Sequence, residues 1–202
     1  MIALRPLARL AAPPQRTAPA ERCELCMTPI GDVHRHLVEL GARNVVCACQ
    51  ACAILFVTPD PAARYRTVAD RVRVDRKFAL RAEQLGIPVG LAFCFRDSKL
   101  GQVVACYPGP AGVVDAELSP QAWEALAGAT PLAAQLEADV EALLVRSLRG
   151  TTETACYLVP ITTAYELVAR LRKSWSGFTG GEAAERELAA FFAEIDTRGV
   201  SA

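Results

Sequence analysis

The chain has 202 residues, of which 52% are hydrophobic and 22% are charged, and its 22 basic and 22 acidic side chains cancel. This composition is typical of a globular, core-forming protein, and the lack of net positive charge argues against a dedicated nucleic-acid-binding protein. No stretch approaches the roughly 20 apolar residues of a membrane-spanning helix, so we expect no membrane span.

Residues 1–20 are rich in proline, alanine and arginine, and we expect them to form a flexible leader. Their apolar runs are interrupted by Arg5, Arg9 and Pro13, so they lack the continuous apolar region of a secretory signal. We therefore expect a cytoplasmic protein. Thiols stay reduced in that compartment, where clustered cysteines indicate a metal site more often than disulfides.

Two Cys-x-x-Cys pairs dominate residues 21–58. The first pair is Cys23 and Cys26, and the second is Cys49 and Cys52. The 22 residues between the pairs can form a hairpin that brings the pairs together. Zinc is commonly bound by four such ligands in a tetrahedron, and a unit this small has too little core to fold without the metal. We predict that these cysteines hold zinc in a module of zinc-ribbon or treble-clef type.

A hairpin is predicted between the two pairs. Residues 34–40 and 45–47 have strand character, and residues 41–44 supply a tight turn. Residues 53–56 continue the second pair as a short helix or an apolar strand. The prolines of the Pro59-Asp60-Pro61 segment disfavour continuation of a helix and cannot donate hydrogen bonds to a sheet. We therefore predict that a second domain begins after this segment.

Three further residues are alternative ligands. Cys47 can replace Cys49 in a set of four, or it is a buried thiol or a reactive group beside the metal. His34 and His36 are the only histidines, and they offer a site of three cysteines and one histidine unless they lie at the surface beside the hairpin. Iron is the alternative metal, as a single iron–thiolate ion or an Fe–S cluster, and it would indicate electron transfer.

Residues 62–199 predict an α+β domain with an antiparallel sheet, because strands occur in groups rather than alternating with helices. Ser119-Pro120 supplies an N-cap and a first-turn proline, and Thr163 with Glu166 has the pattern of a capping box. The first half of the domain is predicted to contain an exposed strand at 64–75, a helix at 76–85, a hairpin of strands at 87–96 and 102–107, and a strand at 113–118. The second half is predicted to contain a helix from Ser119, strands at 140–148 and 156–159 around a turn at Gly150, a helix from Thr163 to about Trp175, and a final helix after Gly181. One face of the final helix is apolar and consists of Ala184, Leu188, Phe191, Phe192 and Ile195.

Other chemical signals in this domain are weaker. We interpret Cys94, Cys106 and Cys156 as buried apolar side chains. Residues 64–81 carry seven basic and two acidic side chains, which predicts a solvated face or, alternatively, a patch for an acidic partner or nucleic acid. The glycine-rich stretch at 177–181 lacks the ending of a phosphate-binding loop, so we interpret it as a hinge between helices.

Several short motifs carry a family resemblance. They are Cys23-Glu24-Leu25-Cys26, His34-Arg35-His36-Leu37, residues 47–53, Val159-Pro160-Ile161, Tyr165-Glu166-Leu167-Val168 and residues 175–181. Together they resemble an uncharacterised bacterial family whose genes lie in nickel–iron hydrogenase operons. The resemblance implies an accessory role in hydrogenase assembly or electron transfer, with hydrogenase subunits or maturation factors as protein partners.

The sequence shows no catalytic constellation, metalloprotease motif or dinucleotide fingerprint. It therefore favours a non-enzymatic metal-binding accessory protein. The alternatives are a small iron–thiolate or Fe–S electron-transfer protein and a treble-clef nucleic-acid-binding protein that uses the basic stretch.

Overall fold

The computed structural model describes residues 21–57, 63–80, 90–116, 118–147, 154–177 and 180–201. The strands are β1 (Arg35–Glu39), β2 (Asn44–Ala48), β3 (Tyr65–Thr67), β4 (Arg73–Asp75), β5 (Leu91–Asp97), β6 (Gln102–Gly109), β7 (Gly112–Ala116), β8 (Glu141–Ser147), β9 (Thr154–Pro160) and β10 (Val200–Ser201). The helices are α1 (Gln50–Leu55), α2 (Pro120–Ala129), α3 (Ile161–Ser174) and α4 (Gly181–Arg198), with a 3₁₀ helix at Pro131–Gln135. These elements form an α+β structure rich in antiparallel strands, as predicted.

A three-stranded sheet carries the first part of the chain. β1 and β2 form the predicted hairpin, with Leu37 opposite Val46. β3 pairs antiparallel with the other edge of β1, so the strand order is β2-β1-β3. α1 begins shortly after β2. Residues 53–55 are therefore helical, which is one of the two structures predicted for residues 53–56.

A seven-stranded sheet in the order β10-β4-β9-β8-β5-β6-β7 forms the centre of the molecule. β10 pairs parallel with β4, and the other pairs are antiparallel. The predicted hairpin of β5 and β6 and the predicted strands β7, β8 and β9 are confirmed. Asp97 fixes the β5–β6 turn, because its Oδ1 accepts hydrogen bonds from the backbone N–H groups of Lys99 and Leu100, both at 2.9 Å.

Each face of the large sheet buries an apolar layer. α3 and α4 cover one face, where Phe192 of α4 packs against Tyr157 of β9 and Tyr165 of α3 packs against Phe93 of β5. α2 and the 3₁₀ helix cover the other face through Leu126 and Leu132. Because side chains alternate along a strand, neighbouring sheet residues contribute to different layers.

The first part of the chain shares the core of the large sheet. Val38 in β1 and Leu40 just after it are buried in the same apolar layer as α3 and α4, and the partly buried Val45 packs against that layer. Val68 and Val72, which link β3 to β4, are buried there too. The three-stranded sheet is therefore joined to the large sheet by packing as well as by the chain.

The helix boundaries differ in part from the predictions. Ser119 caps α2 as predicted, since its Oγ accepts the Ala122 N–H at 3.1 Å. The capping box at Thr163 is wrong, because α3 begins at Ile161 and its N-cap, Pro160, provides no side-chain hydrogen bond. α4 has the predicted buried face, with Leu188 partly buried at its edge.

The single strand predicted at 64–75 is wrong, because this segment forms β3 in one sheet and β4 in the other. Residues 76 and 77 form a turn and residues 78–80 have no regular secondary structure, so no helix starts there; residues 81–86 lie outside the described residues. Also outside them are the leader at 1–20, the boundary segment at 58–62 and the turn at Gly150. The division into a module at 21–58 and a domain at 62–199 stays a prediction.

Among the residues that the structure describes, no helix combines the length and the apolar character needed to cross a membrane.

Candidate metal centre

The two Cys-x-x-Cys pairs meet in the folded chain. We call Cys23, Cys26, Cys49 and Cys52 the thiol cluster. Their sulfur atoms all lie within 4.8 Å of one another, and the Sγ atoms of Cys26 and Cys49 are 3.7 Å apart. Cys23 and Cys52 are buried, whereas Cys26 is exposed. The cluster is therefore open to solvent on one side.

A tight turn presents the first pair. The Cys23 N–H donates to the Thr28 carbonyl at 2.9 Å, and the Met27 N–H donates to the Cys23 carbonyl at 2.8 Å. Met27 adopts a positive φ of 63°, which turns the chain back directly after Cys26. The backbone hydrogen bonds thus hold both cysteines on one short loop.

The first turn of α1 presents the second pair. Cys49 is the N-cap, and its Sγ accepts the Cys52 N–H at 3.4 Å. The two-residue gap places Cys52 within the first helical turn, at the same end of the helix as Cys49. This N–H is one of the otherwise unpaired donors of a helix start, and the Cys49 sulfur accepts its hydrogen bond.

Glu24 joins the first pair to β2. Its backbone N–H donates to the Cys47 carbonyl at 2.9 Å, and its Oε2 accepts the Cys47 N–H at 2.5 Å. These bonds hold the loop of the first pair against the strand that leads to Cys49. Glu24 was not among the residues predicted to form the site, although its position inside the first Cys-x-x-Cys pair is a signal.

The thiols of the cluster differ in acidity. Burial raises the pKa of Cys23, but hydrogen bonds from nearby backbone N–H groups, chiefly that of Cys49, outweigh it and bring the pKa to about 6. Hydrogen bonds from the hydroxyl and backbone of Thr28 lower the pKa of Cys26. Burial and the neighbouring sulfurs raise the pKa of Cys52 to about 12. A bound cation would remove the repulsion that opposes ionisation of several thiols together.

The predicted alternative ligands form a second group. We call His34, His36 and Cys47 the His–Cys group. One ring nitrogen of each histidine and the Cys47 Sγ lie within 4.8 Å of one another. His36 is opposite Cys47 in the β1–β2 pair, and the two imidazole rings are 4.6 Å apart. The structure thus places these residues with one another, beside the thiol cluster.

Burial also affects the His–Cys group. It lowers the pKa of His36, and the nearby His34 adds to this effect. Burial raises the pKa of Cys47, and the negative charges of Glu24 and Glu21 raise it further.

The other three cysteines lie in the apolar layers of the large sheet, which confirms their interpretation as buried side chains. Cys94 and Cys106 belong to layers on opposite faces, although their strands are neighbours. Burial raises the pKa of Cys94 to about 12 and raises those of Cys106 and Cys156 as well. These thiols are therefore poor nucleophiles and poor ligands.

Many basic side chains of residues 64–81, the basic stretch, form ion pairs. The pairs are Arg64 with Glu39, Arg66 with Asp139, Arg71 with Glu141, and Arg76 with Asp196. Asp70, within the stretch, pairs with Arg198 of α4. Carboxylates from other elements therefore offset the positive charge that the local sequence displays. Arg81 lies outside the described residues.

Comparison with known proteins gives the chain a family. No curated protein and no solved structure shows a significant match to it. A family model described as a family of unknown function (DUF5947) matches residues 22–199, which include the thiol cluster and both sheets. The chain belongs to the DUF5947 family of unknown function.

Proposed function

We propose that this protein is a non-enzymatic accessory protein that holds one zinc ion on Cys23, Cys26, Cys49 and Cys52 and acts through protein–protein contacts. The observation that carries the proposal is the convergence of four sulfurs within 4.8 Å of one another. Four thiolates at about 2.3 Å from a tetrahedral ion are about 3.8 Å from one another. The 3.7 Å between the sulfurs of Cys26 and Cys49 agrees with this value.

The spacing supports a single ion over an Fe–S cluster. The spread of the four sulfurs, within 4.8 Å of one another, is close to the value of about 3.8 Å expected for ligands of one tetrahedral ion. A cluster attaches its cysteines to different iron atoms and would spread the sulfurs farther apart. A single iron ion has the same thiolate geometry as zinc and is the alternative metal, with electron transfer as its function.

The order of elements supports a treble-clef module over a zinc ribbon. The first pair lies on a tight loop, a hairpin follows, and the second pair lies at the start of α1. A module of this kind with zinc in place would form a rigid surface for a partner. The clustered free thiols fit a reducing compartment, so we propose a cytoplasmic location.

Two features support a protein partner. Ile54 and Leu55 in α1 and Phe56 just after it are exposed, although they are large apolar side chains next to the thiol cluster. Exposed apolar groups of this kind mark interaction surfaces. The sequence resemblance described above names hydrogenase subunits or maturation factors as the partners to test. The ion pairs of the basic stretch argue against nucleic acid.

Metal analysis of anaerobically prepared protein tests the site. We expect a colourless protein in which one tightly bound zinc per chain is lost on Cys26→Ser substitution and retained on Cys94→Ser substitution. Cys26 is the exposed member of the thiol cluster, so its replacement leaves the apolar layers intact. Cys94 is the control because it is a cysteine that does not belong to the thiol cluster. Visible iron–thiolate absorption would establish the electron-transfer alternative instead.

Pull-down under reducing conditions tests the partner. We expect hydrogenase subunits or maturation factors to bind the wild-type chain and not Leu55→Asp, because a charge on the apolar end of α1 opposes burial against a partner. Leu100→Asp is the control, since Leu100 is also exposed but lies in the β5–β6 turn. Equal loss in both variants, or no association of the wild-type chain, would contradict the proposal.

A further inference from the structure

We propose that the His–Cys group is a second metal site, which binds a borderline divalent ion such as Zn²⁺, Co²⁺ or Ni²⁺ through His34, His36 and Cys47. The site has three protein ligands, and its fourth coordination position opens toward a groove. It is distinct from the thiol cluster in its ligands and in its coordination.

The strand register brings the three side chains together. His34 and His36 are two residues apart, so their side chains leave the chain on the same face. His36 is opposite Cys47. The backbone N–H and C=O of Cys47 both bond to Glu24 rather than to β1. His36 and Cys47 are therefore a non-hydrogen-bonded pair, and side chains in such pairs are closer together than those in hydrogen-bonded pairs.

His34 is held in the tautomer that leaves Nε2 free to bind a metal. Its Nδ1 lies 2.9 Å from the Gly31 carbonyl oxygen. Because a carbonyl only accepts, Nδ1 carries the proton and donates it, and the lone pair of the neutral ring is on Nε2. A ring N–H bonded to a backbone carbonyl is the usual support of a metal-bound histidine. Glu21 Oε2, 3.5 Å from the same Nδ1, adds to this support.

The Nε2 atom of His34 has no partner among the described residues. The side chain is 8% exposed, and this nitrogen is buried without a hydrogen bond. A buried polar atom without a partner costs free energy. A metal ion shared with His36 and Cys47 would satisfy it.

The ligand types and distances fit one ion. A tetrahedral ion with bonds of about 2.0–2.1 Å to nitrogen and 2.3 Å to sulfur has ligand atoms about 3.3–3.6 Å apart. The three atoms here lie within 4.8 Å, so small side-chain rotations suffice. Imidazole with thiolate suits zinc, cobalt, nickel and copper rather than magnesium or calcium.

The surroundings leave an entry path. A groove of about 850 Å³ lies between this part of the chain and the start of α3, and His34 and His36 line it. Cys49 of the thiol cluster also lines it, with Thr163 and Glu166 of α3 on the other side. Three protein ligands with an open position are typical of exchangeable or reactive metal sites rather than structural ones.

Cobalt titration of the full chain tests the proposal. The protein is first treated with a mild chelator until one zinc per chain remains, and bound cobalt and zinc are then measured on the same samples. We expect one Co²⁺ per chain to bind without releasing zinc. In His36→Ala this cobalt should bind about 100-fold or more weakly, since ligand loss exceeds the loss of a supporting group. Cys47→Ser should lose the sulfur-to-cobalt charge-transfer absorption.

Arg35→Ala is the matched control. Arg35 lies between the two histidines in the chain, but its Nε donates to Gln50 Oε1 and it offers no metal ligand, so its replacement should leave cobalt binding unchanged. The proposal is overturned if no cobalt binds beyond the retained zinc, or if His36→Ala binds it as tightly as the wild-type chain.

A second readout needs no variant. His34 and His36 are the only histidines in the chain, so histidine ring resonances report on this group alone. We expect both rings to shift when a second equivalent of Zn²⁺ is added, and unchanged rings would overturn the proposal. A chain that lacks the first zinc but shows these shifts would contradict the proposed function and not this inference.

Discussion

At the scale of single residues, one buried ion pair stands out from the others. Glu141 is fully buried, and both of its oxygens accept hydrogen bonds from Arg71, at 2.5 and 2.8 Å. Its Oε2 also accepts the Glu137 N–H at 3.0 Å. The other ion pairs of the basic stretch are more exposed to solvent. The buried charge of Glu141 therefore needs its counter-charge more than the carboxylates of those pairs do. Hydrogen bonding to Glu141 raises the pKa of Arg71, which keeps the guanidinium charged.

Arg71→Ala should lower the free energy of unfolding by about 3 kcal/mol, because it leaves a buried carboxylate without its counter-charge. Urea denaturation measures this change. Arg76→Ala is the control, since the Arg76–Asp196 pair is largely exposed and should contribute less than about 1 kcal/mol. Equal effects of the two substitutions would contradict the special role of the Arg71–Glu141 pair.

At the scale of elements, α1 depends on the thiol cluster. It has six residues, and helices this short are unstable alone because nucleation is costly. Its N-cap is Cys49, a proposed metal ligand, so metal binding and helix formation are coupled. The large sheet has no such dependence, since its strands are held by their ladders and by two apolar layers.

Removal of zinc by a strong chelator should therefore release α1 and leave the sheet intact. The amides of Ala53 and Phe56, which bond to the carbonyls of Cys49 and Cys52, should lose protection from hydrogen exchange. The amides of β8, a central strand, should keep it. Hydrogen exchange resolved by residue measures both. Unchanged protection at Ala53 and Phe56 would mean that α1 forms without the metal.

At the scale of the whole molecule, a common core joins the region of the thiol cluster to the large sheet. Val38 and Leu40 lie in the apolar layer that α3 and α4 also cover. Loss of packing in this layer should affect both parts. We therefore expect the zinc-loaded chain to unfold in one cooperative transition.

Leu40→Ala should lower the free energy of unfolding by about 2–4 kcal/mol, because it leaves a cavity in the shared layer. Zinc release, followed with a metal indicator, should occur at the same urea concentration as the loss of β-sheet circular dichroism. Leu55→Ala is the control and should change stability by less than about 0.5 kcal/mol, since Leu55 is exposed. Zinc release well before sheet unfolding would show that the first region unfolds independently.

Features with a local cause were predictable from the sequence. The hairpin of β1 and β2, the cap of α2 at Ser119 and the buried face of α4 follow from turn residues, an N-cap hydroxyl and helical spacing. The convergence of the four cysteines follows from two Cys-x-x-Cys pairs around a hairpin. These signals involve residues that are close in the chain, so no tertiary information is needed.

Features that depend on distant partners were not predictable. Residues 64–75 alternate like one strand, yet β3 pairs with β1 and β4 pairs with β9. α3 begins at Ile161, whose N–H donates to the carbonyl of Val140, a distant partner that no local capping pattern predicts.

The same distinction applies to the candidate metal centre. Cysteine spacing predicted the four members of the thiol cluster but left Cys47, His34 and His36 as alternatives. The separation of Cys47 and the two histidines into a group of their own was decided by the β1–β2 register and by the bonds of Glu24 to Cys47. A register shift of one residue would turn Cys47 to the other face of the sheet, and only the folded hairpin excludes that shift.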